Sequence, residues 1–143
     1  MLIVSRQLSQ CDRQPDWQLW LTAEERARSR YRYDREEMPP VLLQLPRGTR
    51  LVPNHFLVAD SGEILQILAA PETVIEVTSP EPLTLLRVAY HLGNRHVSLE
   101  VTENYLKLLP DPVLETLIQS LGAKTERVTR PFFPEAGAFH SHS

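Results

Sequence analysis

Cys11 is the only cysteine in the chain. One thiol excludes an internal disulfide framework and any cysteine-rich zinc or iron–sulfur site, and it fits a reducing compartment. Glycine is also scarce, at five in 143 residues. No Gly-x-x-x-x-Gly-Lys loop, Gly-x-Gly-x-x-Gly turn or Gly-x-Ser-x-Gly elbow occurs, which removes the usual phosphate cradles and the exposed serine nucleophile. Long apolar runs are missing as well. Nothing approaches the roughly 18 residues of a membrane span, and Leu2-Ile3-Val4 is too short for a signal-peptide core. A basic excess is absent, because the formal net charge is −3. The one basic cluster, Arg26 to Arg35, is interleaved with Tyr31, Tyr33 and Asp34 and reads as a solvated strand face. These absences predict a cytoplasmic protein with neither nucleic acid nor membrane as partner.

What is present divides into two halves. Residues 1–70 hold six short apolar or alternating segments: Leu2–Ser5, Trp17–Leu21, Arg28–Tyr33, Val41–Leu45, Phe56–Ala59 and Ile64–Ala69. Proline and glycine punctuate them at Pro39-Pro40, Pro46-Arg47-Gly48 and Asp60-Ser61-Gly62, so a small all-β unit is expected. Thr22-Ala23-Glu24-Glu25 has the spacing of a capping box and predicts at most one helical turn.

The second half, residues 71–134, changes period. Thr73–Val77 reads as a strand. Glu81-Pro82 then opens a helical segment carrying Leu83, Leu86, Val88 and Tyr90, with Gly93 placed as its left-handed terminator. His96–Val101 and Tyr105–Leu109 read as strands. Asp111-Pro112 starts a second helix that Gly122 ends, and Thr125–Thr129 is the last strand. The order β-α-β-β-α-β is the split βαβ, or ferredoxin-like, arrangement. The expected fold class is therefore α+β, an all-β domain followed by a ferredoxin-like domain. Residues 135–143 lack periodicity and read as a flexible tail.

Five histidines supply the only concentrated chemistry. Neutral imidazole is the common ligand of Ni, Cu and Zn ions. His55 follows a turn and reads as a loop residue. His91 falls in the last turn of the first helix, where it can interact with the dipole and the free carbonyls. His96 follows Gly93-Asn94-Arg95 at the start of a strand, as either a ligand or an ordinary strand-end residue. His140 and His142 form a terminal His-x-His, whose plain alternative is a tail with incidental histidines or the remains of a purification tag. His91 and His96 do not share a helical face, so the chelate of a His-Glu-x-x-His helix is absent. One chain thus offers no set of three fixed ligands plus an open position, and an enzyme is not expected. A two-fold axis near His96 would bring two imidazoles to one point, and the tail could add others. Such a site exchanges its ion readily, which suits a carrier.

The run Tyr90 to His96 (Tyr-His-Leu-Gly-Asn-Arg-His) and the segment Arg130-Pro131-Phe132-Phe133-Pro134-Glu135-Ala136-Gly137-Ala138-Phe139 resemble the UreE family, nickel metallochaperones of urease maturation. Leu21–Arg26, Leu45–Thr49 and Leu57–Glu63 extend the likeness over nearly the whole chain. The resemblance implies a peptide-binding-like β domain, a ferredoxin-like metal-binding domain and a homodimer joined through the latter. It implies Ni(II) bound between two copies of His96, with His140 and His142 as further ligands. The partners implied are urease apoprotein and other urease accessory proteins, a GTPase among them. Nickel comes only from the resemblance, since imidazole sites would also take Zn or Cu. Leu109–Pro112 lacks the histidines that some members carry there, and the short tail suits delivery better than storage. The rival reading is a peptide-binding assembly adaptor in which metal only bridges the dimer. A metal-dependent hydrolase is a distant third.

Overall fold

The computed structural model describes residues 1–136. These form two compact units that meet in sequence between Ala70 and Pro71.

The first unit is one six-stranded mixed sheet with a single helical turn. Its elements are β1 (Leu2–Leu8), β2 (Trp17–Leu21), α1 (Ala23–Arg26), β3 (Arg30–Tyr33), β4 (Val41–Gln44), β5 (Phe56–Ala59) and β6 (Ile64–Ala69), in the spatial order β2-β6-β5-β1-β4-β3. All six segments read from the sequence are strands. β1 runs three residues longer than expected and β3 starts two later, because Thr22 caps α1 first. The Glu25 amide donates to Thr22 Oγ1 at 3.2 Å and the Thr22 amide to Glu25 Oε1 at 3.0 Å. Two pairings are parallel, β1 with β4 and β2 with β6. Alternation sends Leu19, Leu21, Leu43, Leu57, Leu65 and Ile67 into the core. The arginines of the basic cluster are engaged locally: Arg28 with Glu24, Arg32 with Asp34 and Arg35 with Glu25, while Arg28 lies 4.2 Å over the Tyr31 ring.

The second unit comprises β7 (Pro71–Thr78), α2 (Pro82–Asn94), β8 (Leu99–Val101), β9 (Leu106–Leu108), α3 (Pro112–Ser120) and β10 (Lys124–Pro131). Its strands pair antiparallel in the order β10-β7-β9-β8. With helices after the first and third strands, this is the βαββαβ arrangement the sequence predicts. Leu85, Val88 and Leu92 of α2 and Ile118 of α3 share one apolar cluster with Ile75, Val77, Leu106 and Leu108 of the sheet. Each such buried side chain contributes roughly 1.5–3 kcal/mol. Asp111 caps α3, its Oδ1 accepting from the amides of Val113 and Leu114.

Two details of α2 depart from the sequence reading. Of Leu83, Leu86, Val88 and Tyr90, only Val88 is buried, whereas the other three are exposed. The inward stripe is Leu85-Val88-Leu92, so the helix is apolar on two faces. Gly93, moreover, does not terminate the helix. It lies within α2 in ordinary right-handed backbone, and the left-handed residue is His96, at φ 57°.

Candidate metal site at the end of α2

The stop of α2 is best understood beside that of α3. In α3 the Gly122 amide donates to the Gln119 carbonyl at 3.0 Å and the Ala123 amide to the Ile118 carbonyl at 3.4 Å, with Gly122 at φ 95°. This paired bonding is the Schellman stop, which places a left-handed residue just past the helix. In α2 the His96 amide donates to the Gly93 carbonyl at 3.0 Å and the Val97 amide to the Leu92 carbonyl at 3.2 Å. Val97 packs against the core cluster that contains Leu92, as the motif favours. His96 therefore occupies the position that Gly122 occupies in α3. It does not begin a strand, since β8 starts three residues later at Leu99.

A side chain in that conformation costs about 1 kcal/mol relative to glycine. Among the described residues only Asn54 and His96 carry a positive φ without being glycine. The His96 side chain is exposed and has no hydrogen-bond or ion-pair partner among the described residues, so no contact within the unit offsets that cost. Unfavourable backbone geometry that local packing does not explain points to function. Replacing His96 with Gly is accordingly expected to stabilise the fold by about 0.5–1 kcal/mol, read as a raised urea midpoint at unchanged slope. A lowered midpoint would mean that the histidine makes contacts the fold needs.

His91 is half-buried in the last turn of α2, its ring edge-on to Tyr90 at a centroid distance of 5.4 Å. His55 belongs to the first unit, where its carbonyl accepts from the Ile67 amide at 2.9 Å. His140 and His142 lie outside the described residues. No group of three or more His, Cys, Asp or Glu side chains able to hold a metal occurs among the described residues. The described residues thus offer His96 as an exposed imidazole rather than a finished metal cage.

Glu100, four residues after His96, is committed to other partners. It is 6% exposed, accepts from Tyr105 Oη at 3.1 Å and from the Phe133 amide at 2.9 Å, and lies 3.9 Å from Lys107 Nζ. Burial, reinforced by the bond to Glu100, pushes the Tyr105 phenol up from its ordinary range. Nothing in the local sequence signals the Phe133 bond, whose partners are 33 residues apart.

Sequence reading also overlooked the outer face of α2. Leu83, Leu86 and Tyr90 are exposed at helical spacing, and Gly93 continues the same stripe toward His96. A Cβ built on Gly93 would meet nothing within 4 Å, so neither conformation nor packing inside the unit calls for glycine there. A glycine inside a helix costs about 1 kcal/mol against alanine. Close approach of another surface would explain it.

An all-β unit followed by a ferredoxin-like βαββαβ unit defines a two-domain α+β protein. The matches to known sequences are consistent with that class. Residues 3–70 match the N-terminal domain of the UreE urease accessory protein, and residues 72–143 match its C-terminal domain. The urease accessory protein UreE of Microcystis aeruginosa (strain NIES-843) is 51% identical over 125 residues, 87% of this chain and 79% of that one. Its namesake in Nostoc sp. (strain PCC 7120) is 46% identical over 87% of this chain and 85% of its own. The Burkholderia lata protein of the same name is 46% identical over 127 residues but only 61% of its own length. The chain belongs to the UreE family of urease accessory proteins.

Proposed function

We propose that the protein is a cytoplasmic nickel carrier for urease maturation. Its cargo sits between two copies of the chain, with His96 from each as the central ligands. The observation that carries this reading is His96 itself: an exposed imidazole, without a hydrogen-bond or ion-pair partner among the described residues, held in a left-handed conformation that glycine would fill more cheaply. The stripe Leu83-Leu86-Tyr90-Gly93 supports a two-fold contact along α2, which would bring the two His96 rings to one axis. His140 and His142 would add ligands from the C-terminal segment. The protein performs no reaction of its own, and an incompletely preorganised site lets it receive and release the ion. Nickel follows from the family rather than from the imidazoles, which also suit Zn and Cu. The recipients proposed are urease apoprotein and its accessory proteins, a GTPase among them.

Calorimetry on the intact dimer tests this, with and without alanine at His140 and His142. The parent should bind nickel at a site whose occupancy saturates per dimer, not per chain, and the tail substitutions should weaken it while leaving the fold intact. Saturation at one ion per isolated chain would contradict the shared site. The interface has its own check. Replacing Gly93 with Ala favours the helix by about 1 kcal/mol yet places two methyl groups across the axis. A roughly tenfold weaker dimer is expected in sedimentation equilibrium, and an unchanged dimer would remove Gly93 from the contact.

One observation favours the adaptor reading as a second role for the first unit. Trp20, 49% exposed on the edge strand β2, borders a cleft of about 430 Å³ lined also by Trp17, Gln18, Glu37 and Met38. A large exposed indole beside a sheet edge suits an extended client segment. Capture of urease or an accessory protein that survives both chelation and loss of His96 but fails with Trp20→Ala would support that role.

A further inference from the structure

The two outer strands of the first sheet, β2 and β3, end it in opposite ways. β3 carries Arg30 and Arg32, and charged side chains are a usual guard against unwanted strand pairing. β2 reads Trp-Gln-Leu-Trp-Leu, with neither charge nor proline to guard it. Its inner pairing is parallel to β6, and the Ala70 amide donates to the Leu21 carbonyl at 2.8 Å. Because peptide groups alternate in direction along a strand, Gln18 and Trp20 turn theirs to the open edge. Arg35 marks that direction, since its guanidinium donates to the Trp20 carbonyl at 3.4 Å. The amide and carbonyl of Gln18 and the amide of Trp20 face the same way.

The cleft that Trp20 borders lies beside this edge. Trp17 is a fixed part of its wall, with Nε1 donating to Glu63 Oε2 at 2.8 Å. Of the lining side chains two are acidic, Asp16 and Glu37, and none is basic. Asp16 is already engaged: its Oδ2 accepts from Arg13 Nη2 and from the Ile64 amide, both at 2.8 Å. The charge of Arg35 is answered by Glu25 at 3.1 Å. Glu37 is exposed and has no hydrogen-bond or ion-pair partner among the described residues. The cleft thus combines an exposed indole, an unanswered carboxylate and a strand edge open to pairing. The face of an indole and a carboxylate both attract a cation.

Resting on the adaptor role read for the first unit, we propose that β2 pairs with an extended segment of a partner protein that carries an arginine or lysine. The segment adds as a further strand along Gln18 and Trp20, held by main-chain bonds that take no account of its sequence. Its cationic side chain packs on the Trp20 indole and answers the Glu37 carboxylate. Choice among segments comes from that contact. A glutamate in the same place meets a like charge, and a neutral apolar side chain keeps the ring but loses the charge. The loop between β3 and β4 supplies Arg35, Glu37 and Met38 together. One short segment therefore both holds the edge through Trp20 and gives the cleft its sign.

The test uses the intact protein and short synthetic strands of alternating valine and threonine, identical but for a central arginine, norleucine or glutamate. Fluorescence anisotropy should show the arginine strand binding about three- to tenfold tighter than the norleucine strand, with the glutamate strand weakest. Raising the salt concentration should narrow that preference. Glu37→Gln changes one exposed side chain and should bring the arginine and norleucine strands to nearly equal affinity. Trp20→Ala should weaken every strand. An arginine strand N-methylated at each valine and threonine should not bind, because strand addition needs those donors. Equal affinities for all three strands, lost with Trp20→Ala, would overturn the selection of a cation and leave the adaptor reading standing. Binding indifferent to Trp20→Ala or to N-methylation, or no binding at all, would remove the adaptor site and the proposal with it.

Discussion

Replacing His96 with Ala is expected to weaken nickel binding by the dimer at least about 100-fold, with fold and dimerisation retained. A substitution that only disturbs the groups around a metal ligand typically costs 10–100-fold. Here each change counts twice, because the two-fold symmetry proposed for the site removes both central imidazoles together. The tail histidines would remain without a fixed point to close upon. Alanine at 96 keeps the left-handed cost that histidine carries, so stability should change little. His96→Gly should abolish binding to the same extent while raising stability. Calorimetry paired with urea titration separates the two effects, and nickel binding at parental affinity in either variant would refute the assignment. Because imidazole binds metal only when deprotonated, the parent's affinity should fall on acidification.

The second large effect concerns the stripe on α2. Leu86→Asp should convert the proposed dimer of about 33 kDa to a monomer of 16.4 kDa in light scattering. Leu86 is 66% exposed and lies on the face opposite Leu85, Val88 and Leu92, so the fold itself should tolerate the change. In a two-fold contact the introduced carboxylate faces its own copy across the axis. Like-charge juxtaposition of that kind costs several kcal/mol, and each 1.4 kcal/mol is a factor of ten in dissociation. Loss of the dimer should also remove the nickel site, although no ligand is touched. A variant that stays dimeric would place the interface elsewhere.

Much of this was legible in the sequence because it is local. Alternation marked all six strands of the first unit, and Thr22 with Glu25 gave the capping box. Asp111-Pro112 and Gly122 bracketed the second helix correctly. The parallel pairings of β1 with β4 and β2 with β6 join distant segments and leave no local signature. The end of α2 misled for a specific reason. Gly93 is the expected left-handed residue of a helix stop, and it stands three positions before the true one. A better signal was available in the spacing. Leu92-x-x-x-His96-Val97 repeats the pattern Ile118-x-x-x-Gly122-Ala123, with a core residue before and an apolar residue after the left-handed position. The two apolar faces of α2 were merged in the same way, because an exposed apolar stripe looks in sequence like one turned to the core. The bond from Phe133 to Glu100 was beyond any local reading.

The shared stop of α2 and α3 would let a helix end be functionalised without redesigning its surroundings. The backbone there already points one residue away from the body of the domain, and its bonds are all made by main-chain atoms, so the identity of that residue is open to change. On the proposed role of His96, one codon would separate an inert stop from a coordinating one, and the same exchange at Gly122 would be the minimal graft for building an artificial second port on this scaffold.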